Sequence, residues 1–163
     1  MKIEKLTEGY YPGVAGIYLE GIATGHATFQ TETPSWADWD KSHLEHCRFV
    51  AIENAKVIGW AALTPISGRC VYAGVAEVSI YIASEYRGKG IGDFLMKELI
   101  KASEANNIWT LQAGIFPENE ASIKLHHNNE FRTVGIREKI GKMNNVWRNT
   151  VLLERRSKIT GVS

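Results

Sequence analysis

The chain is poor in the residues that would fix its class at once. Cysteine occurs only at Cys47 and Cys70. They form no C-x-x-C pair and no metal-ligand spacing, so neither a disulfide framework nor a thiolate zinc site is encoded. Two reduced thiols suit a cytoplasmic protein. No apolar run approaches the roughly 20 residues of a membrane span, and the opening MKIEKLTEGYY lacks the apolar stretch of a secretory signal. No Pro/Gly/Ser-rich stretch divides the chain, and no repeat or low-complexity segment is present. Charge of one sign is missing too. Nineteen Lys and Arg stand against 18 Asp and Glu, for a net charge of +1. The signs are interleaved, which leaves no basic face for nucleic acid. The nearest candidate, ERRSKITGVS (Glu154–Ser163), is short and carries a glutamate.

What remains is an ordinary globular composition, 44% hydrophobic and 23% charged over 163 residues, enough for one core and one domain spanning 1–163. KIEKL (Lys2–Leu6) alternates as a first strand. Val14, Ile17, Tyr18 and Ile22 recur at helical spacing despite Gly13 and Gly16. SWADWDKSHLE opens with Ser35 as an N-cap and predicts a second helix. RFVAIE and KVIGWAALTPI flank Asn54-Ala55 as a hairpin, and GVAEVSIYIAS (Gly74–Ser84) is a strongly β-branched strand. DFLMKELIKASEANN predicts a helix with Ile91, Phe94, Leu95, Leu99 and Ala102 along its apolar face. IWTLQAGIF reads as a strand and NEASIKLHHNN as a short helix capped by Asn119. FRTVGIREKI and KMNNVWRNTVLLER read as two final strands. The order βααβββ–α–β–α–ββ predicts an α/β fold with a mixed, mostly antiparallel sheet flanked by helices.

One stretch is richer than it should be. YRGKGIGDFLMKELI (Tyr86–Ile100) places three glycines at the threshold of a helix, where each costs stability. A helix start presents free N–H groups and the positive end of its dipole. Glycines let a phosphate approach the backbone, and Arg87 and Lys89 add positive charge. This is the chemistry of a pyrophosphate cradle. Spacing excludes two common ones. G-x-x-x-x-G-K-[ST] is absent. In G-x-G-x-x-G/A the last position would fall on Asp93, and no acidic residue follows about 20 positions later.

The run present, R-G-x-G-[IV]-G, resembles motif A of the GNAT superfamily of N-acetyltransferases. NEASIKLHHNNEF resembles its motif B, with Asn119, Ser122, Leu125 and Phe131 in place. ATFQTETPS (Ala27–Ser35), RCVYAGVAEVSIY (Arg69–Tyr81) and NEASIKLH (Asn119–His126) extend the likeness to the phosphinothricin acetyltransferase subgroup, from about Ile17 to Arg155. The resemblance implies a sheet splayed at the cofactor site. It implies acetyl-CoA as co-substrate, held by the backbone of Val78, Ile80 and Ile82, by Arg87, Gly88, Lys89, Gly90, Ile91 and Gly92, and beside Asn119 and Ser122. It implies no metal, a homodimer formed through the C-terminal strands, and direct attack by the amine of a small amino-acid-like acceptor such as phosphinothricin or methionine sulfoximine. Protein N-termini or another small amine are the alternative acceptors. A non-catalytic acyl-CoA sensor on the same fold is a third reading.

Two side chains stand out as catalytic candidates. Glu77 interrupts the apolar VAEVSIYI, where a carboxylate needs a partner or a purpose, and the subgroup carries Glu there. The competing reading is an outward-facing position or an ordinary ion pair. His126 falls on motif B where many GNAT proteins carry Tyr and this subgroup carries His, a residue able to act as acid or base. The competing reading is a hydrogen-bonded helix residue. Phe29 and Thr31 lie on the loop expected over the acceptor, with Glu32 beside them. Arg69 and Tyr72 match the subgroup's R..Y pair and suit an acidic group on the acceptor. Trp36, Trp39 and Trp60 read as packing residues. His26 is undecided. Three departures from the subgroup bear on the acceptor: Val75 replaces a hydroxyl residue, Glu130 a glycine, and Asn149 an acid.

Overall fold

The computed structural model describes residues 1–163. Seven strands form one open sheet: β1 (Lys2–Lys5), β2 (Phe49–Glu53), β3 (Lys56–Pro65), β4 (Val75–Ile82), β5 (Thr110–Ile115), β6 (Arg132–Met143) and β7 (Val146–Arg156). Their order is β1-β2-β3-β4-β5-β7-β6, and only the β4–β5 pair is parallel. Four helices flank the sheet: α1 (Tyr11–Thr24), α2 (Trp36–Ser42), α3 (Ile91–Ala105) and α4 (Glu120–His127). The fold class is as the sequence predicts. No helix is long and apolar enough to cross a membrane.

The sheet separates two apolar layers. On one face α1 and α2 pack Val14, Ile17 and Trp39 over Val50, Trp60 and Ala62. On the other, α3 packs Ile91, Leu95, Met96 and Leu99 over Ile58, Leu63, Ala76, Leu111 and Leu153. Trp39 and Trp60 are fully buried, as packing residues. α1 lies close on the sheet at two of its glycines: a Cβ at Gly21 would come within 2.7 Å of the Tyr81 ring and one at Gly13 within 2.9 Å of Val57, while one at Gly16 would meet nothing within 4 Å.

Three local expectations are corrected. Phe94 is not on the apolar face of α3 but 57% exposed. At about 100° per residue it sits roughly 140° around the helix from the middle of the buried stripe, and Met96 occupies that stripe instead. The helix from Ser35 ends at Ser42, not at Glu45. His43 turns extended, stacks on Trp39 at 3.9 Å and bonds the Trp39 carbonyl at 2.7 Å. Buried Arg48 donates to the Asp40 carbonyl at 3.3 Å, one of the last-turn carbonyls that a further turn would have used, to the Asp40 carboxylate at 2.5 Å, and to the His43 and Leu44 carbonyls just past the helix end at 3.0 and 2.8 Å. Finally, Asn144 and Asn145 are a turn, not strand. Their φ of +50° and +64° match those of the predicted Asn54-Ala55 hairpin, +51° and +62°, the left-handed pair that a two-residue hairpin requires.

Candidate active site

The parallel pair β4–β5 parts early. Val75, Ala76 and Glu77 face Thr110, Leu111 and Gln112, and pairing stops there. β4 stays paired with β3 to Ile82, and β5 with β7 to Ile115. Each strand therefore keeps its outer partner while a wedge opens between them, and Val78 to Ile82 have a strand edge with no neighbour on that side. A free edge offers N–H and C=O groups to an extended ligand, as to another strand. The side chains of Val78, Ile80 and Ile82 belong to the α3 layer and that of Tyr81 to the α1 layer. By alternation Glu77 shares the α1 side.

The glycine-rich turn lies past the end of β4. A short 3-10 turn (Ser84–Tyr86) leads to Arg87, whose Nε donates to the Ile82 carbonyl at 3.4 Å. Gly88 and Gly90 hold φ of +76° and +81°, and a Cβ on either would meet no protein atom within 4 Å. Both therefore border open space beside the first N–H groups of α3, which Gly90 caps. Gly92 differs: a Cβ there would press on Leu125 of α4 at 3.2 Å, so it serves helix packing. Lys89 lies 5.1 Å over the Tyr86 ring, and Ile91 is buried in the core. Asp93 turns away from the cradle. Lys97 and then Asn129 hold its carboxyl below the usual range, at 2.6 and 3.0 Å. Free amides and a helix dipole, with the Asp93 carboxylate engaged by Lys97 and Asn129, fit a diphosphate.

Glu77 is half-buried, and Gln112 Nε2 donates to its Oε1 across the last paired rung at 3.5 Å. Sequence reading passed over Gln112, because a polar residue in an alternating strand is unremarkable until its cross-strand neighbour is known. His126 is 2% exposed. Its ring meets Phe131 edge-on at 4.8 Å, and its Nδ1 lies 2.7 Å from the Ser122 carbonyl. A carbonyl only accepts, so Nδ1 carries the proton and Nε2 the lone pair. Nε2 is enclosed without a protein partner, and burial holds the imidazole below its usual value. Neutral His126 thus presents an acceptor, not an acid. Asn119 caps α4, accepting from the Ser122 N–H at 3.3 Å. His127 is exposed, beside the Thr133 hydroxyl at 2.9 Å.

The expected acceptor residues fall into two groups. Arg69 and Tyr72 are exposed on the β3–β4 connection, the guanidinium 5.7 Å over the ring. Phe29 and Thr31 lie on the loop between α1 and α2, where Phe29 meets Phe116 edge-on at 4.8 Å. Val75 sits opposite Thr110 on the closed part of the sheet. Asn149 accepts the Lys139 N–H at 2.8 Å, steadying an irregular step of β6 where Lys139 has φ of +48°. Neither cysteine forms a disulfide. Burial pushes the Cys47 thiol up to about 11, so it stays protonated and is a poor nucleophile. No group of three metal-ligating side chains is present.

The comparisons with known proteins agree with this geometry. Residues 13–131 match the acetyltransferase (GNAT) family. The chain belongs to that family. This GNAT N-acetyltransferase is similar to the phosphinothricin N-acetyltransferase of Streptomyces coelicolor, 34% identical over 134 residues that cover 77% of this chain and 78% of that protein. It is 28% identical over 154 residues to the L-methionine sulfoximine/L-methionine sulfone acetyltransferase of Pseudomonas aeruginosa, covering 88% of this chain and 87% of that one. A GNAT-superfamily phosphinothricin acetyltransferase from Sinorhizobium meliloti, crystallised in complex with acetyl-CoA, matches with a TM-score of 0.88 at 26% identity, over 99% of this chain and 91% of that chain. Within the GNAT acetyltransferases the chain is phosphinothricin acetyltransferase-like.

Proposed function

We propose that this acetyltransferase moves the acetyl group of acetyl-CoA to the amine of a small amino-acid-like acceptor of the phosphinothricin or methionine sulfoximine type. The observation that carries this is the parting of β4 from β5 directly after Glu77 and Gln112, with the open glycine turn at the far end of the same strand. One channel joins a phosphate-binding end to a carboxylate end. Acetyl-CoA supplies the activated acetyl group; Gly88, Gly90 and the first amides of α3, with Arg87 and Lys89, take its diphosphate, and the free edge at Val78–Ile82 takes its extended arm.

The chain's own chemistry then concerns one proton and one oxygen. The acceptor's amine is largely protonated at neutral pH and must be neutral to attack. Glu77 takes its proton, directly or through a water. Gln112 holds Oε1 and leaves Oε2 for the amine. The Ile80 N–H, on the free edge, faces the charge that develops on the carbonyl oxygen. We assign His126 a supporting part: its Nδ1 bond to the Ser122 carbonyl stiffens α4 from within, and its ring seats the end of that helix on Phe131. Arg69, with Tyr72, takes the acidic group of the acceptor, and Phe29 and Thr31 form the opposite wall. β6 is a free sheet edge on which Val134, Ile136 and Ile140 lie exposed. We place the contact of a homodimer there.

Release of free CoA thiol over an amine panel tests the reading. Methionine sulfone, methionine sulfoximine and phosphinothricin are expected to turn over, and free amines lacking an acid group are not. No turnover of any amino-acid-like amine removes the acceptor assignment. Glu77→Gln is expected to lower kcat by roughly 100-fold, the scale of one general base, with the affinity for acetyl-CoA unchanged. Undiminished kcat across pH would exclude Glu77 as the base.

A further inference from the structure

Arg148 has no part in the chemistry above, yet its side chain is only 11% exposed close to the tip of the β6–β7 hairpin. Nη1 donates to the carbonyl of Gly25 at 2.8 Å, the left-handed residue that ends α1. Nη2 donates to His26 Nδ1 at 3.0 Å and to Glu118 Oε2 at 3.2 Å. The guanidinium carbon stands 4.0 Å from the centre of the Phe116 ring, whose edge contact with Phe29 is described above. Phe29 is seated in turn on Gly141 of β6, where a Cβ would come within 2.8 Å of the ring. One side chain joins the start of the α1–α2 loop, the turn between β5 and α4, and the hairpin arm.

The loop needs such an anchor. No backbone–backbone hydrogen bond ties residues 26–34 to the rest of the chain. Its far end is held by the Tyr11 hydroxyl on the Pro34 carbonyl at 2.6 Å, its near end by Arg148. A guanidinium suits the task because its plane carries several donors in a fixed fork while its face stacks on an aromatic ring. Both are used here. A cleft of about 660 Å³ opens beside it, with His26, Glu118, Trp147 and Arg148 among its walls.

We infer that Arg148 is a positioning residue: it pins the 25–34 loop and, through Phe116, fixes Phe29 at the acceptor side of the β4–β5 opening. This rests on the acceptor side assigned above. The role belongs to acceptor binding and leaves the cofactor cradle untouched.

Arg148→Met and Arg148→Lys test it, with two readouts. In steady state, Arg148→Met is expected to raise KM for methionine sulfone about tenfold, the scale of a displaced positioning group, while KM for acetyl-CoA stays within about twofold. Arg148→Lys, which keeps the charge but not the fork or the stacking face, is expected to fall between wild type and Met. It carries the test if the Met variant does not fold. The second readout needs no acceptor: chymotrypsin is expected to cut after Phe29 about tenfold faster in the variants, because a released loop is open to a protease. Unchanged acceptor KM overturns the proposal. So does a parallel rise of both KM values with a lower Tm and unchanged cleavage at Phe29, which is general loosening. If the wild-type enzyme acetylates no amino-acid-like amine, the acceptor reading fails on its own, and cleavage at Phe29 alone decides the role of Arg148.

Discussion

Glu130 holds φ of +69° in the turn that follows α4, at the place where the subgroup carries glycine. The turn therefore keeps its left-handed backbone with a residue that pays for it, by about 1–2 kcal/mol. A partial offset is visible: Arg155 Nη2 reaches Glu130 Oε2 at 3.3 Å, but the Glu130 side chain is 69% exposed, and such pairs contribute little. Two substitutions separate backbone from side chain. Glu130→Ala loses the ion pair and keeps the strain. Glu130→Gly loses the ion pair and relieves the strain, against a smaller entropic cost in the unfolded chain. Thermal unfolding is expected to place Tm of the Gly variant above that of the Ala variant by roughly 2–4 °C, since about 1 kcal/mol moves a domain of this size that far. Equal values would mean the turn has relaxed around glutamate at no cost.

At the level of elements the glycine turn and α3 act as one unit. Gly90→Glu separates stability from binding there. The new side chain would project into open space, since no atom lies within 4 Å of the Cβ position. Its charge would sit at the positive end of the α3 dipole, favourable by about 0.3–1 kcal/mol, against the cost of a left-handed residue. The variant is expected to fold with Tm lowered by only a few degrees, about 2–4 °C. The same charge opposes a diphosphate, so titration calorimetry is expected to show CoA affinity reduced at least about 100-fold, roughly 3 kcal/mol. Retained affinity would move the diphosphate out of this turn.

The elements also show what was legible in the chain and what was not. The hairpin at Asn54-Ala55, the caps at Ser35 and Asn119, and the strand–turn–helix around Gly88–Gly92 are local signals, each set by residues within a few positions. They were readable. Phe94 misleads because its hydrophobicity suits the apolar stripe of α3 while its angle around the helix does not. Asn144-Asn145 passes for strand because two asparagines carry the turn without a glycine. The Gln112–Glu77 bond joins residues 35 apart, and Arg148–Gly25 joins residues 123 apart. Such pairs exist only once the sheet has placed β5 beside β4 and the hairpin beside the loop, so no window along the chain contains them.

For the whole molecule, the two apolar layers share a weakness to acid. Each holds an imidazole shielded from water: half-buried His43, against Trp39 in the α1/α2 layer, and buried His126, against Phe131 in the α3/α4 layer. Burial holds both below the ordinary 6.5, outweighing the carbonyl bonds that favour the proton. Above pH 6.5 folded and unfolded chains carry these rings neutral alike, and stability does not depend on them. As pH falls below 6.5 the unfolded chain takes up protons that the folded chain refuses, so stability is lost, by at most about 1.4 kcal/mol per pH unit for each ring. The carboxyls of Glu4, Glu85, Asp93 and Glu118 lie below their usual values of 4.5 or 3.8. Their contributions are present above those values and vanish at lower pH. Calorimetric Tm is therefore expected to hold level from pH 8 to about 6.5, decline through the histidine range, and decline again below about 4.5. His43→Gln is expected to remove part of the first decline and none of the second. A level Tm down to pH 5 would mean that both rings accept protons in place. The layers on the two sides of the sheet would then tolerate charge that their packing gives them no means to solvate.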